Sequence, residues 1–385
     1  MRLNIAVFLA LALAGCGTIE QATSDILPAS DAHPPKALKE FAPTAHVQVL
    51  WQASAGRGSA KDYVRINPYV DDSLIFVAGS NTAGAWNKTN GGRVWQTPID
   101  GDITGGINGG DSNVYLGTGN GSAVALDRQT GQVRWKTPLS SEVLTVSAAR
   151  NGVVVFRTGD GHLYGLSSQS GERLWQQARQ GSTISLRGAG TPIVAGSMVI
   201  AGFDSGVVTA FDMQNGNALW EATLSIPQGT NDLTRMTDVD GKLKAQGAAL
   251  FAASYNGQIA GIDMRNGNIG WSAPYSSYTG VDADANGLYT TNANGDLWKL
   301  NPQSGAPLWK MDDLEYRQPT APTVIGNYLV VGDAKGYLHW VNASSGQLAA
   351  RSRGDSAGYI AAPIQDGGVV YTLGRSGILS AFGVQ

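Results

Sequence analysis

From residue 47 to the C-terminus, apolar and small or polar positions alternate in short runs broken at close intervals by Gly, Asn and Asp. The runs 121–126 and 161–166 have period 2, the pattern of strands that bury one face. The repeat continues with an Asp/Asn-x-x-x-Gly turn and then a second run carrying Trp, so each copy predicts a hairpin. The frame is a Gly, an apolar residue five on, a second Gly five later and Trp four after that. It fits Gly121/Leu126/Gly131/Trp135, Gly161/Leu166/Gly171/Trp175, Gly206/Phe211/Gly216/Trp220, Gly257/Ile262/Gly267/Trp271 and Gly295/Leu300/Gly305/Trp309. The first copy has Asn81 for the leading Gly before Trp86, Gly91 and Trp95. The seventh has Ala350 where Trp is expected, which predicts one weakened lock between repeats, and the eighth (Gly377, Phe382) stops before its Trp.

Trp95, Trp135, Trp175, Trp220, Trp271 and Trp309 step by 40, 40, 45, 51 and 38 residues, a period that means propeller or solenoid. Upstream of each hairpin lies another strand pair, as in 320–332, where Gly326-Asn327 punctuates two β-branched runs. Four strands per copy make a blade, and no helical periodicity of useful length occurs over 47–385. The run 47–51 before the first copy supplies the outer strand that the last copy lacks, so pairing them closes a ring without an open edge. The predicted fold is all-β, an eight-bladed β-propeller of four-stranded antiparallel blades with the last blade closed by the N-terminal strand; seven blades is the alternative count. The recurring Trp and Gly residues are assigned to packing and turn geometry.

Composition narrows the function. Gly is 51 of 385 residues and charged residues only 15%, a turn-rich chain with too many apolar side chains for disorder. A net charge of −3 gives no basic field for nucleic acid. One Cys excludes an internal disulfide or a thiolate metal cage. His33, His46, His162 and His339 are scattered, and there is no nucleophile elbow, phosphate loop or EF-hand loop. Asp127, Asp212 and Asp263 sit at turn positions and should bond turn amides. Asp312-Asp313 reads as a solvated loop.

Residues 1–15 read as a secretory leader, with Arg2 followed by an apolar run too short to span a bilayer. Leu13-Ala14-Gly15-Cys16 resembles the lipobox of bacterial lipoproteins, which implies lipidation at Cys16; Gly17 in place of Asp implies transfer to the outer membrane, facing the periplasm of a Gram-negative cell. The segment 16–45, with Pro28, Pro34, Pro35 and Pro43, reads as a tether that gives the domain reach, with at most a short helix around 36–41. The propeller then occupies 46–385.

Ala125-Leu126-Asp127-Arg128-Gln129-Thr130-Gly131-Gln132-Val133-Arg134-Trp135 resembles the repeat of pyrroloquinoline-quinone-dependent alcohol dehydrogenases. That likeness implies blades, not chemistry. Those enzymes hold the quinone over Ca²⁺ beside a vicinal disulfide, which this chain cannot form, and no catalytic, metal or cofactor residue is assigned. A quinone-dependent periplasmic dehydrogenase is the alternative reading, and glycan binding through Trp86 and Trp298 a weaker third.

The two longest Trp-to-Trp steps are consecutive. Their added residues fall after Trp175 and after Trp220, in outer-to-inner connections that emerge on one face. One carries Ile184, Leu186 and Arg187; the other carries Leu233, Met236, Asp238 and Asp240. Apolar anchors with a guanidinium and carboxylates suit protein docking. Leader, lipobox, tether, degenerate repeats and these two loops together resemble the BamB family, the propeller lipoproteins of the β-barrel assembly (BAM) machinery. The resemblance implies a non-enzymatic scaffold. Its loops, carried onto Ile184, Leu186, Arg187, Asp238 and Asp240, would bind the POTRA domains of BamA, and its strand edges would be offered to nascent outer-membrane β-barrel proteins.

Overall fold

The computed structural model describes residues 33–58, 64–179, 190–226 and 236–385. Eight four-stranded antiparallel sheets follow one another, with no helix among the described residues. Blade 1 runs from Tyr69–Val70 to Arg93–Pro98, blade 2 from Ile103–Gly110 to Val133–Pro138, blade 3 from Val143–Val146 to Arg173–Ala178, and blade 4 from Ile193–Ala195 to Ala218–Thr223. Blades 5, 6 and 7 run from Lys244–Gln246, Val281–Asp284 and Thr323–Ile325 to the outer strands Ile269–Ala273, Pro307–Met311 and Leu348–Arg353. Blade 8 is Ile364–Asp366, Val369–Leu373 and Ile378–Val384, completed by Val47–Ser54, whose Val47 pairs with Val384. The eight-bladed propeller with its ring closed by the N-terminal strand is the architecture expected from the repeats.

The Gly-to-Trp frame has a direct physical cause. Seven outer-strand Trp indoles each donate Nε1–H to a carbonyl in the next blade's turn, at 2.8 to 3.1 Å: Trp51 to Lys88, Trp95 to Arg128, Trp135 to Ser168, Trp175 to Met213, Trp220 to Met264, Trp271 to Pro302 and Trp309 to Ala343. The same indole lies on the turn glycine. At Gly131 (φ +71°) a Cβ would stand 2.4 Å from the Trp95 ring, so glycine is required both for the left-handed turn and for the stacking. The turn itself is held by Asp127, whose Oδ1 accepts from the amides of Gln129 and Thr130 at 3.0 and 2.8 Å. Arg134 and those amides hold the Asp127 carboxyl down to about 2.

Every outer strand carries a one-residue bulge immediately before the Trp position: the register skips Leu50, Val94, Arg134, Leu174, Leu219, Gly270, Leu308 and Ala349. Each bulge turns the following side chain onto the next blade and breaks the row of unpaired edge groups.

Blade 7 explains its missing Trp. Blade 8 has no turn between its third and outer strands, because these are the two ends of the chain, so an indole from blade 7 would have nothing to dock on. In blade 2 a small residue faces the Trp (Ala125 opposite Trp135), whereas in blade 7 the sizes are exchanged, Trp340 standing opposite Ala350 and fully buried. The space is taken by the N-terminal segment: Thr44 and Ala45 both donate N–H to the carbonyl of Ala349, at 2.8 and 3.2 Å, and Ala45 packs in one core cluster with Trp340, Ala349 and Ala350. Ala350 is therefore a fitted residue, not a weakened lock. Residues 36–41 form no helix; they are docked, as described below.

Truncating an interlocking indole and restoring the absent one should both destabilise the ring. Trp135→Ala should cost about 3–5 kcal/mol and Ala350→Trp about 1–3 kcal/mol by overpacking, read as lower urea midpoints in equilibrium unfolding.

Candidate functional site

In each blade the connection from an outer strand to the next inner strand lies on the same face as the turn between second and third strands. The two long connections, 179–192 and 224–243, start and end on that face and belong to consecutive blades. Ile184, Leu186, Arg187 and Leu233 lie outside the described residues, as does Cys16. The described ends of the two connections meet. A Cβ on Gly190 would stand 2.5 Å from the Gly241 carbonyl oxygen, and one on Gly241 would stand 2.5 Å from the Gly280 amide nitrogen, so three backbones stack where only hydrogen fits. Lys242 extends the stack by donating N–H to Thr279 and accepting from Val281.

Beneath the stack lies a buried charge cluster. Arg157, at the end of Val153–Thr158 in blade 3, is 3% exposed; it donates to the Gly202 carbonyl at 2.9 Å, pairs with Asp204 and covers the Phe203 ring at 5.1 Å. The nitrogen that bonds Gly202 also lies 3.6 Å from Asp240. Neither acid of the second connection stands open on the rim: Asp238 is 0% and Asp240 6% exposed, and Met236 is buried with them. The Asp238 carbonyl accepts from Tyr255 N–H at 2.9 Å, and Val239 donates to the Phe203 carbonyl. Neither carboxylate oxygen of Asp240 accepts a hydrogen bond from the described residues. Burial holds this carboxyl well above the usual carboxylate range, with Arg157 pulling the other way. At the mouth of the first connection Arg179 pairs with Glu221 at 2.8 Å and lies over Phe211.

Sequence reasoning placed the two acids at the docking surface and missed Arg157. The signal for Arg157 was present: it is the one charged residue of 153–158, in a run otherwise apolar until Thr158.

The inner strands of all eight blades surround an axial cavity of about 740 Å³, lined by Arg65, Asn67, Asp240, Lys242, Lys244 and Asp282, among others. The quinone and Ca²⁺ of the dehydrogenase likeness can be tested against these donors. Asp282 is already occupied by Lys242 at 3.0 Å and Lys244 at 2.5 Å; burial raises its carboxyl, but the two ammonium groups outweigh it and hold it below the ordinary value. Arg65 is committed to the Tyr278 carbonyl at 2.8 Å. No group of three His, Cys, Asp or Glu able to hold a metal occurs among the described residues. An ammonium pair stands where a metal would need carboxylates, so this cavity does not fit the group. The glycan reading fares no better, since Trp86 is 1% exposed and Trp298 packs on Tyr275 with its ring centroid at 4.9 Å.

Asp240 has a pH signature. Its folded carboxyl binds protons more tightly than the unfolded one, so between the two values the folded chain keeps a proton that the unfolded chain has released, and stability falls as pH rises through that window. Asp240→Asn should remove this part of the decline: the variant's stability relative to the parent, measured by urea unfolding, should increase from pH 4 to pH 7.5.

The comparisons with known proteins fit this architecture. A family model described as outer membrane protein assembly factor BamB matches residues 79–311. The chain is 43% identical to the Pseudomonas aeruginosa protein of that name, over 99% of this chain and 98% of the relative, and 38% identical to the Legionella pneumophila one over the full length of both. The crystal structure of BamB from Moraxella catarrhalis superposes with a TM-score of 0.80 at 27% identity, covering 88% of this chain and all of that one. A quinohemoprotein alcohol dehydrogenase from Comamonas testosteroni, at 13% identity and a TM-score of 0.68, covering 87% of this chain and 76% of its own, shares the fold alone. The chain belongs to the BamB family of outer membrane protein assembly factors.

Proposed function

We propose that this protein is a non-enzymatic scaffold of the outer-membrane β-barrel assembly complex, anchored through lipid on Cys16 and facing the periplasm, and that it docks on the POTRA domains of BamA. The observation that carries the reading is the meeting of the two long connections at Gly190 and Gly241 over one buried charge cluster. Two excursions held at a common base act as one surface, and loops on a rigid scaffold are where binding concentrates. In this reading Ile184 and Leu186 are the apolar anchors and Arg187 the polar one. Asp238 and Asp240, being buried, act from below by seating the second connection, and their loss would be felt through its position.

Docking through loops is better supported than offering strand edges to nascent barrel segments. An added strand needs a regular row of free backbone groups, and the bulge in every outer strand interrupts that row. A quinone-dependent dehydrogenase is disfavoured by the ammonium pair on Asp282.

The test is a titration of purified protein against the BamA POTRA domains. Leu186→Ala and Arg187→Ala should each weaken binding by about tenfold or more while leaving the unfolding midpoint unchanged, as expected of interface anchors. Asp240→Asn should weaken it less. Unchanged affinity in all three variants would remove the docking reading.

A further inference from the structure

The outer strand Val47–Ser54 starts at the face opposite the long connections, because it pairs antiparallel with Ile378–Val384, whose Ile378 end follows the turn on the connection face. A chain leaving directly from residue 46 would therefore depart from the far face. It does not do so. The contacts of 33–45 step along blade 7 toward the connection face. Thr44 and Ala45 bond Ala349; the Lys39 carbonyl accepts from Arg351 at 3.0 Å, with Arg351 also over the Phe41 ring at 5.1 Å; the Lys36 carbonyl accepts from Arg317 at 3.0 Å. Lys36 then donates N–H to the Glu315 carbonyl and its ammonium pairs with Asp312 at 3.0 Å and Glu315 at 3.1 Å, Lys39 pairs with Asp313 at 3.3 Å, and His33 stacks on Tyr316 with centroids 4.7 Å apart. The acidic doublet, with Asp312 still exposed and Asp313 largely covered, is thus one wall of a groove in the 312–322 connection.

The groove is built to read a backbone. Arg317 is 5% exposed, fixed by Asp333 at 2.7 Å, with His339 on the same carboxylate at 3.0 Å, and it spends its remaining nitrogen on a main-chain carbonyl. Two guanidiniums on carbonyls and three acids on two lysines form a peptide-binding edge occupied by the chain's own segment.

We infer that residues 33–45 are a strap that leads the membrane anchor out on the connection face, between blades 6 and 7, so that lipid and partner act on the same side of the ring. The orienting role rests on the reading of Cys16 as the anchor. With the strap docked, 17 Cα-to-Cα steps separate Cys16 from His33, a maximum span of about 60 Å; undocked to residue 46 the leash would span about 100 Å and leave from the opposite face. The average spread of a flexible 17-residue leash, roughly 23 Å, is comparable to the roughly 20 Å height of a six-residue strand, so the exit point biases which face turns to the membrane.

The test uses the full acylated chain in vesicles of phosphatidylethanolamine and phosphatidylglycerol. Single cysteines replace exposed turn residues at the two ends of blade 7, Lys335→Cys on the connection face and Ser345→Cys on the opposite one, and each is labelled for energy transfer to headgroup-labelled lipid. Transfer should be greater from position 335. In a Lys36→Glu/Lys39→Glu background, which turns three attractions into repulsions at exposed lysines, the order should equalise or reverse. Hydrogen exchange supplies a readout that needs no lipid: the amides at positions 36, 44 and 45 should be protected at least tenfold over the free peptide in the parent and lose that protection in the double variant. Free-peptide exchange in the parent overturns the strap itself. Greater transfer from position 345, or an order unchanged once exchange shows release, overturns its orienting role. A Cys16 peptide without acyl mass defeats the anchor reading and with it the orienting role, while exchange still decides whether the strap is docked.

Discussion

The ring depends on one repeated contact, an outer-strand indole that donates its N–H to a carbonyl of the next blade and lies flat on that turn's glycine. Seven such contacts link neighbouring sheets that share no backbone ladder. Each combines burial of a large aromatic surface with a satisfied donor, which is how Trp serves where one end must be apolar and the other polar. The bulge before each Trp belongs to the same device, since the extra residue aims the indole sideways and roughens an otherwise open edge.

Where the repeated contact cannot be made, the chain ends do the work. Blade 8 is stitched from both termini, so it offers no turn to blade 7. The indole there moves to the third strand as Trp340, and the N-terminal segment fills the space beside Ala350. The segment that closes the ring thus continues as the strap on blade 7, and circular closure and the route to the N-terminus are solved by the same stretch of chain. On the connection face, Gly190, Gly241 and Gly280 bring three backbones together above Arg157, so the two long excursions start from a shared rigid base.

Much of this was legible in the sequence because it is local and repeated. Period-2 runs, the Asp-x-x-x-Gly turn and the Trp spacing fix strand, turn and blade, and the orphan strand at 47–51 announces how the ring closes. Family membership was legible in the same repeats together with the two long loops. What was not legible depends on contacts between residues distant in sequence. Ala350 looked like a defect because the N-terminal segment that fits it lies some 300 residues earlier. The pairing of Asp312 and Asp313 was hidden because Lys36 and Lys39 are equally distant. Asp238 and Asp240 were taken for rim carboxylates because loop position suggests exposure, whereas Arg157, reaching from blade 3, holds a site for Asp240 in the interior. In each case charge and size were visible and the partner was not.

The central claim is that a rigid ring, with no cluster able to hold a metal among the described residues, works by presenting one face to another polypeptide. It is tested most directly by site-specific photocrosslinking in the native outer membrane, with a photoreactive residue at position 187 in the first long connection and another at position 303 in a turn of the face opposite the ends of that connection. The account predicts a crosslink to BamA from position 187 and none from position 303. Equal crosslinking from both, or capture of BamA from position 303 alone, would contradict it.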